Sequence, residues 1–363
     1  MRPYGLYIHI PSCNTKCSYC DFVSMPMESY LIDRYIDGLL CELTQSCKAL
    51  TVDTVFVGGG NPTSLSGKQI KRVLTAAKGL SGKATEFSVE SNPNSLTRYK
   101  LDVILNSGVN RVSLGLQTHD DAILSGIGRR HTYKDYETAV KYLTDGKISN
   151  INVDIMMGLP RQNADSLKET VERVADSGVT HVSAYSLKVE QGTSLYKSGY
   201  RPDADLQADM YQMTCELLSA KGYRRYEISN FCKPGYECRH NLKYWKAEPY
   251  IGCGLSAASL LGNNTRITNT HNLDDYLSGD IIADKTAIGA RQARTEYIML
   301  GLRLTRGILL SDYQNRFGQD LLIDKQAAID KLTKLGLVAI QDGRLKIPDD
   351  KLYISNGIIA ELI

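Results

Sequence analysis

The sequence predicts an α/β fold built on a parallel sheet. Six short segments have a strand-like pattern, and most of them are apolar runs rich in Val and Ile. They lie at residues 4–10, 52–57, 86–91, 111–115, 151–156 and 181–186. The segments between them place apolar residues at helical spacing, at 28–43, 67–77, 98–106, 133–143 and 165–175. Strand–helix alternation of this kind is typical of parallel strands joined by right-handed crossovers.

Polar and glycine residues cluster where these predicted strands end. Six strand–helix units form either an open barrel or a doubly wound sheet, and in both folds ligands bind at the carboxyl ends of the strands. Residues 58–61, Glu90, Gln117 and Asp154 each lie at or just after such an end. The sequence therefore predicts a ligand site at this edge of the sheet.

The strand–helix rhythm changes after about residue 200. Residues 203–220 have the pattern of one long helix, and residues 223–260 are rich in aromatic, glycine and polar residues. We expect a first domain at 1–200, a family-specific extension at 201–285 and a third module at 286–363.

The third module has the pattern of a small α+β unit. An amphipathic helix at 324–335 precedes two short strands at 337–340 and 344–347. Asp342-Gly343 between the strands is a hairpin signal. A helix followed by a hairpin resembles a winged helix, a shape that binds nucleic acid or packs on a partner domain.

Composition excludes several classes of protein. The 363 residues include 43 Lys and Arg against 40 Asp and Glu, and this near balance gives no argument for nucleic acid. No apolar stretch approaches the roughly 18–20 residues that cross a bilayer, and no signal-peptide pattern is present. We therefore expect a cytoplasmic protein. Its nine cysteines, an odd number, argue against a disulfide framework.

Three of the cysteines are tightly clustered, with the spacing C-x3-C-x2-C at Cys13, Cys17 and Cys20. A structural zinc site normally has four protein ligands, and no fourth Cys or His follows at typical spacing. A cubane cluster usually takes four cysteines, so three would leave one iron open to a small chelating ligand. Three zinc-binding or purely structural cysteines remain the alternative.

This triplet, with Tyr19 before its last cysteine, resembles the motif of the radical S-adenosylmethionine superfamily. The resemblance implies a partial (β/α)6 barrel and a 4Fe–4S cluster on Cys13, Cys17 and Cys20. It also implies that the amino and carboxylate groups of S-adenosylmethionine chelate the open iron. The reduced cluster would then cleave the cofactor to a 5′-deoxyadenosyl radical, since cofactors carry radical chemistry while the protein positions them.

Further segments resemble the cofactor contacts of that superfamily. Residues 58–63 read GGGNPT, where the superfamily has GGGTPT, so Asn61 replaces a hydroxyl residue with an amide. A carboxylate suits ribose hydroxyls and an arginine suits a carboxylate. Read singly, each polar residue could be a solvated surface residue, and the glycines an ordinary turn. The residues that the resemblance assigns to S-adenosylmethionine are Tyr7, Tyr19, Gly59, Gly60, Asn61, Glu90, Gln117, Arg129 and Asp154.

Together these segments resemble the oxygen-independent coproporphyrinogen III oxidase family over roughly residues 4–300. The oxidase branch has a fourth cysteine two residues after the third, whereas this chain has Phe22. Residues 240–245, HNLKYW, match the HNxxYW motif of the heme-chaperone branch. This resemblance makes His240 a candidate heme ligand, with Tyr244 and the lone Trp245 against the porphyrin. A structural His240 is the alternative, and Cys238 is a second candidate iron ligand.

One segment resembles the oxidase branch more closely. Residues 252–259 read GCGLSAAS, in a region that two-cofactor relatives also use. If a second S-adenosylmethionine binds, Tyr19, Asn61, Gln117, Arg129 and Asp154 are its expected contacts.

These observations give three hypotheses. The first is a heme chaperone that binds the cluster, S-adenosylmethionine and heme, and passes heme to acceptor proteins. The second is an enzyme that uses the 5′-deoxyadenosyl radical on a porphyrin or related substrate, by decarboxylation or methyl transfer. Both need an electron donor such as flavodoxin or ferredoxin. The third, a nucleic-acid binder, is disfavoured by the modest net charge of +3.

Overall fold

A computed structural model describes residues 2–82 and 84–363, and confirms the predicted α/β fold. β1, β3 and β6 have the predicted bounds, and β2, β4 and β5 are each two residues longer. The strands are β1 (Tyr4–Ile10), β2 (Val52–Gly59), β3 (Glu86–Ser91), β4 (Arg111–Gln117), β5 (Asn150–Met157), β6 (His181–Ser186), β7 (Arg224–Arg225), β8 (Asn230–Cys232), β9 (Tyr250–Cys253), β10 (Ala258–Leu260), β11 (Thr265–Asn269), β12 (Ile282–Ala287), β13 (Ile308–Leu309), β14 (Ala339–Gln341) and β15 (Arg344–Lys346).

The predicted helices form within a few residues of their expected ends. Reciprocal capping boxes explain where two of the helices begin. One is formed by Ser66 with Gln69 and the other by Thr132 with Asp135. The helices are α1 (Ser29–Ser46), α2 (Gly67–Ser81), α3 (Arg98–Asn106), α4 (Asp121–Gly126), α5 (Tyr133–Asp145), α6 (Ala164–Asp176), α7 (Ser194–Lys197), α8 (Ala204–Ala220), α9 (Arg239–Trp245), α10 (Leu273–Ser278), α11 (Ala290–Gly301), α12 (Leu310–Phe317), α13 (Leu321–Asp324), α14 (Gln326–Lys334) and α15 (Ser355–Ala360).

Twelve strands form one sheet in the order β12-β11-β10-β9-β1-β2-β3-β4-β5-β6-β8-β7. β1 to β6 are parallel, as predicted, and β9 adds a seventh parallel strand beside β1. The outer strands run antiparallel to their neighbours. The sequence reasoning missed β9, which is only four residues long and pairs with a strand some 240 positions earlier.

The parallel part of the sheet is curved. Gly59 on β2 and Tyr185 on β6 line the same cavity of about 180 Å³. Four strand spacings in a flat sheet would separate them by roughly 19 Å. The sheet therefore wraps around the cavity as an open barrel, which is the predicted partial (β/α)6 arrangement.

The C-terminal module is the predicted helix-plus-hairpin unit. α14 precedes the β14–β15 hairpin, and Asp342 and Gly343 both have positive φ in its turn. β13 completes a three-stranded antiparallel sheet in the order β13-β15-β14. The module has its own apolar core, drawn from residues 298–362, whereas residues up to 276 share the core of the large sheet. The boundaries expected at residues 200 and 285 stay predictions.

No helix in the described part of the chain is long and apolar enough to cross a membrane.

Candidate cofactor site

The cysteine triplet lies on a closed loop after β1. The backbone N–H of Met25 donates to the Pro11 carbonyl at 2.8 Å, and that of Cys13 donates to the Met25 carbonyl at 3.0 Å, which joins the two ends of the loop. At its tip, Ser18 N–H donates to the Ile127 carbonyl at 3.0 Å. The loop is thus held at its base by its own backbone and at its tip by the chain that follows α4.

Cys13, Cys17 and Cys20 line one cavity, are partly exposed and form no disulfide. In residues 2–82 and 84–363, no three His, Cys, Asp or Glu side chains converge closely enough to hold a single metal ion. Burial raises the pKa of Cys17 and of Cys20, so both are thiols until a metal centre displaces their protons. Three free thiols around a shared cavity fit a multi-iron cluster better than one tetrahedral zinc ion.

The glycine run after β2 packs directly on the cysteine loop. Gly60 N–H donates to the Ile10 carbonyl at 2.8 Å. A Cβ on Gly60 would lie 2.7 Å from the Ser12 carbonyl oxygen. Gly59 has a φ of +112°, and a Cβ there would lie 2.6 Å from the His9 ring. Both positions therefore exclude any side chain, and the turn presents bare backbone to the cavity.

Asn61 connects the loops that follow β2 and β3. Its side chain is 3% exposed. Its Oδ1 accepts from the Thr63 hydroxyl at 2.8 Å and from Asn92 N–H at 3.2 Å, and its Nδ2 donates to the Ser95 hydroxyl at 3.1 Å. The amide thus holds two cavity loops together while Asn61 lines the cavity.

Two carboxyl groups face the cavity from neighbouring parts of the barrel. Glu90 accepts the backbone N–H of Gly59 at 3.1 Å. Asp154 accepts from the Ser113 hydroxyl at 3.2 Å and from Asn152 Nδ2 at 2.8 Å. Burial, reinforced by the negative charge of Asp154, raises the pKa of Glu90 to about 7. Burial likewise raises the pKa of Asp154.

Arg129 supplies a buried positive charge to the same cavity. Its guanidinium donates to the Tyr19 hydroxyl at 2.9 Å and to Asn92 Oδ1 at 2.6 Å. Its Nε is buried and has no hydrogen-bond partner among the described residues. An unpaired buried donor is costly, so this nitrogen marks a place for an acceptor from a ligand. Burial also raises the pKa of Tyr19, which remains a neutral phenol.

Gln117 ends β4 in a strained backbone conformation. Its φ is +76°, in the region that favours glycine, and the pairing of β4 with β5 shifts register between Gly115 and Gln117. Strained non-glycine backbone of this kind concentrates at functional sites. The bulge places Gln117 among the residues that line the cavity.

The structure brings together eleven of the predicted cluster and S-adenosylmethionine residues around this cavity. They are Cys13, Cys17, Tyr19, Cys20, Gly59, Gly60, Asn61, Glu90, Gln117, Arg129 and Asp154. Tyr7 is not among the described residues that line it; its hydroxyl lies 3.0 Å from His9 Nδ1 on the same strand. Burial, with a smaller effect of Glu90, raises the pKa of Tyr7.

The HNxxYW segment forms α9, and His240 lies apart from the cysteines. His240 is 1% exposed, and its ring stacks on Phe56 with centroids 5.4 Å apart. Its Nδ1 is 3.0 Å from the Thr54 hydroxyl and its Nε2 is 2.8 Å from the Tyr244 hydroxyl. Burial, with nearby Lys243, lowers the pKa of His240 to about 3. In this conformation both ring nitrogens are engaged by protein, which favours the structural alternative for this residue.

Cys238 also lies inside the protein. It is fully buried, its Sγ lies 3.4 Å from Glu86 Oε1, and burial raises its pKa to about 12. It is therefore a neutral thiol enclosed by protein in this conformation.

Sequence reasoning missed two residues that organise this region. Asn92 orients Arg129, and the only signal for it was its place in the Asn-Pro step after β3. Glu86, at the start of β3, accepts the backbone N–H groups of Arg239 and His240, both at 2.9 Å. No pattern pairs Glu86 with a helix 150 residues later, because that contact exists only in the folded chain.

Comparison with known proteins gives the family. A sequence profile of the radical SAM superfamily matches residues 7–174, and one of the HemN C-terminal domain matches residues 290–350. The heme chaperone HemW of Lactococcus lactis is 36% identical over 87% of this chain and 86% of that protein. Those of Bacillus subtilis and Escherichia coli K12 are 34% and 32% identical, over 98% and 84% of this chain and 98% and 83% of theirs. The chain belongs to the HemW family.

Membership of the HemW family agrees with the resemblance seen in the sequence, and the radical SAM superfamily implies a 4Fe–4S cluster and S-adenosylmethionine. Among solved structures, Escherichia coli coproporphyrinogen III oxidase (HemN), described as a radical SAM enzyme, superposes with a TM-score of 0.87 at 22% identity. The superposition covers 99% of this chain and 90% of that one, so the two share a fold.

Proposed function

We propose that this protein is a heme chaperone that binds a 4Fe–4S cluster, S-adenosylmethionine and heme, and delivers heme to acceptor proteins in the cytoplasm. Similarity to HemW proteins over 84–98% of the chain is the observation that carries the proposal. The cavity adds chemical support, since three free thiols, a glycine turn, two carboxyl groups and an arginine with an unpaired donor surround it.

Cys13, Cys17 and Cys20 would hold the cluster, and the glycine turn would receive the methionine part of S-adenosylmethionine. Glu90 or Asp154 would accept hydrogen bonds from ribose hydroxyls, and Arg129 would pair with the carboxylate. When bound and reduced by a donor such as flavodoxin or ferredoxin, the cluster supplies the electron that cleaves S-adenosylmethionine.

Heme ligation by His240 is part of the same proposal. It is the part that requires the largest change from the described structure. Iron binding at Nε2 would replace the hydrogen bond to Tyr244, and α9 would have to move, since His240 is 1% exposed. The low pKa of about 3 keeps the imidazole neutral, the form that binds iron.

The test is anaerobic reconstitution of the cluster followed by titration with heme and transfer to a heme-free acceptor protein. We expect a heme-specific Soret band, its transfer to the acceptor, and a weaker band for His240→Ala. His271→Ala is the matched control, since His271 is exposed and contacts Ser256. A wild-type protein without the band would refute the chaperone proposal. Unchanged affinity in His240→Ala would remove only His240 as the ligand.

The alternative is a radical enzyme acting on a porphyrin or related substrate. The eleven predicted residues around the cysteine cavity favour it, because cofactor cleavage needs the cluster and S-adenosylmethionine together. Phe22, at the position of the oxidase branch's fourth cysteine, is 61% exposed and lines the same cavity. The assay is 5′-deoxyadenosine formation under anaerobic reduction, with and without coproporphyrinogen III. Substrate-dependent product would support the enzyme; formation independent of coproporphyrinogen III would exclude the oxidase version.

A further inference from the structure

A second cavity, of about 280 Å³, lies between the end of α9 and the C-terminal module. Five cationic and two acidic side chains line it, a formal excess of three positive charges. The cations are Arg2, Lys246, Arg306, Arg316 and Arg344, and the acids are Glu248 and Asp312. The whole chain carries only +3, so this concentration of charge is local and needs its own explanation.

These five cations are not used in ion pairs. Among residues 2–82 and 84–363, none of them has a carboxylate oxygen within 4.0 Å, and Glu248 is instead 3.7 Å from Lys243. Burial, with repulsion from Arg306, Lys243 and Arg2, lowers the pKa of Lys246, while Glu248 acts in the opposite direction. Five cations against two carboxylates leave uncompensated positive charge, so this arrangement favours an anionic ligand.

Arg316 is the fixed element of the cationic cavity. Its guanidinium donates to the Lys246 carbonyl at 3.1 Å and to the Ala247 carbonyl at 2.7 Å, at the C-terminal end of α9. Its Cζ lies 5.2 Å from the Tyr297 ring centroid. These contacts hold one cation between α9 and the C-terminal module and connect the two parts of the chain.

A larger cavity, of about 960 Å³, adjoins the cationic one. The two share Arg2, Asp312 and Arg316 in their walls. The lining of the larger cavity is mixed. Its apolar part is Leu50, Pro249, Ile251, Leu260 and Leu261, and the shared charged residues and three asparagines, Asn263, Asn264 and Asn315, supply most of its polar part. Its volume is within the range of about 300–1,000 Å³ that is typical of small-molecule sites. We call this larger cavity the apolar chamber after its group of five apolar residues. Joined to the cationic cavity, it matches a ligand with a large apolar body and carboxylates at one edge.

Of the residues in the HNxxYW segment, only the last contributes to the lining of these two cavities. Trp245 lines the cationic cavity, whereas His240 and Tyr244 turn toward the barrel interior and contact each other there. An indole beside unpaired cations supplies the flat apolar contact that an aromatic anion prefers.

We propose that heme binds in these adjoining cavities, with its macrocycle in the apolar chamber and its propionate carboxylates on the cations around Trp245. This inference rests on the proposed function and names a site for its ligand, at which Trp245 and not His240 meets the porphyrin in the described conformation. Inorganic phosphate would satisfy the cations, but it has no part that fills an apolar chamber of about 960 Å³. Heme meets both requirements. Its propionates carry the negative charge that the cationic cavity favours, and its ring supplies the apolar area that the apolar chamber favours.

The test compares heme with heme dimethyl ester, in which both carboxylates are neutral, on the cluster-reconstituted full chain. Lys246→Gln combined with Arg306→Gln removes two cations whose side chains make no hydrogen bond to described residues. We expect the wild type to bind heme at least about tenfold more tightly than the ester, and the double variant to lose this preference. The control is Arg34→Gln, which removes an exposed cation on α1.

A second variant tests the apolar chamber. Asn315→Trp adds bulk at an exposed position of α12 that lines it, without removing a hydrogen bond to the described residues. We expect weaker binding of heme and ester alike, with cluster content unchanged. Equal affinity of the wild type for heme and ester, or unchanged heme binding in both variants, would overturn the site. A wild type that binds no heme would instead refute the proposed function.

Discussion

Lowering the pH from 8 to 6 should weaken binding of S-adenosylmethionine to the cluster-loaded protein by about tenfold, through protonation of Glu90. Burial and the charge of Asp154 place the pKa of Glu90 at about 7. The charged fraction of such a group is about 0.9 at pH 8 and about 0.09 at pH 6. Only the carboxylate form makes charge-assisted hydrogen bonds to ribose hydroxyls, which are roughly twice as strong as neutral ones. Affinity should follow that fraction.

Two variants separate Glu90 from other titrating groups. Glu90→Gln should lower the affinity at pH 8 and remove the dependence between pH 6 and 8. Asp154→Asn should move the midpoint below 7, because it removes the like charge that raises the pKa of Glu90. The measurement is equilibrium binding of S-adenosylmethionine at constant ionic strength. A pH profile in Glu90→Gln that matches the wild type would refute the reasoning.

The same shift has a consequence for stability. Because the folded-state pKa of Glu90 is raised from 4.5 to about 7, the folded cofactor-free chain binds more protons than the unfolded chain across that window. Its contribution to the free energy of unfolding is therefore largest below 4.5 and declines as the pH rises through 7.

Three further substitutions test other parts of the site. Cys17→Ser should abolish the visible absorption of the cluster while changing the free energy of unfolding of the iron-free chain by less than about 1 kcal/mol. Glu86→Ala should lower that free energy by about 2–4 kcal/mol in urea titration, because the backbone N–H groups of Arg239 and of the buried His240 lose their acceptor; a loss under about 1 kcal/mol would contradict this. Gly60→Ala should reduce S-adenosylmethionine affinity at least about tenfold with iron content retained, since its Cβ would lie 2.7 Å from the Ser12 carbonyl; unchanged affinity would argue against a close-packed turn.

The sequence was most informative where a local pattern determines structure. β1, β3 and β6 have the predicted bounds, and each is a short segment that is mostly buried in the sheet. β9 was missed because four residues carry no detectable period, and the edges of β1 that accept it are a property of the folded sheet. α4 was missed for a similar reason, since it has only six residues and begins at the Asp120 cap.

In the candidate site, residue types were predictable and their partners were not. The cysteine spacing indicates that Cys13, Cys17 and Cys20 share one centre, and they do line one cavity. The sequence could not show that Asn61 uses its amide on Ser95 and Asn92, because that geometry arises when two loops from separate strands meet. The heme-ligand role of His240 stays a prediction.

A chain of hydrogen bonds runs from the cofactor cavity through the barrel. Asp154 accepts from Asn152 Nδ2 at 2.8 Å, and Asn152 Oδ1 contacts His181 Nδ1. Burial and nearby Arg111 lower the pKa of His181, so its ring is neutral. An amide oxygen can only accept, so Nδ1 carries the proton, and Nε2 accepts from the Tyr226 hydroxyl at 2.8 Å. The position of the proton is therefore determined for each donor in this series of hydrogen bonds.

This series of hydrogen bonds ends at α9. The Tyr226 oxygen accepts the backbone N–H of Cys238, the residue that precedes the helix, at 3.2 Å, and Glu86 accepts the next two N–H groups. The start of α9 is thus fixed by the same polar network that holds Asp154 at the cofactor cavity. Since α9 spans only seven residues, this anchoring also sets where Trp245, its last residue, meets the cationic cavity. The HNxxYW segment therefore positions one wall of the proposed heme site through contacts its first residues make inside the barrel.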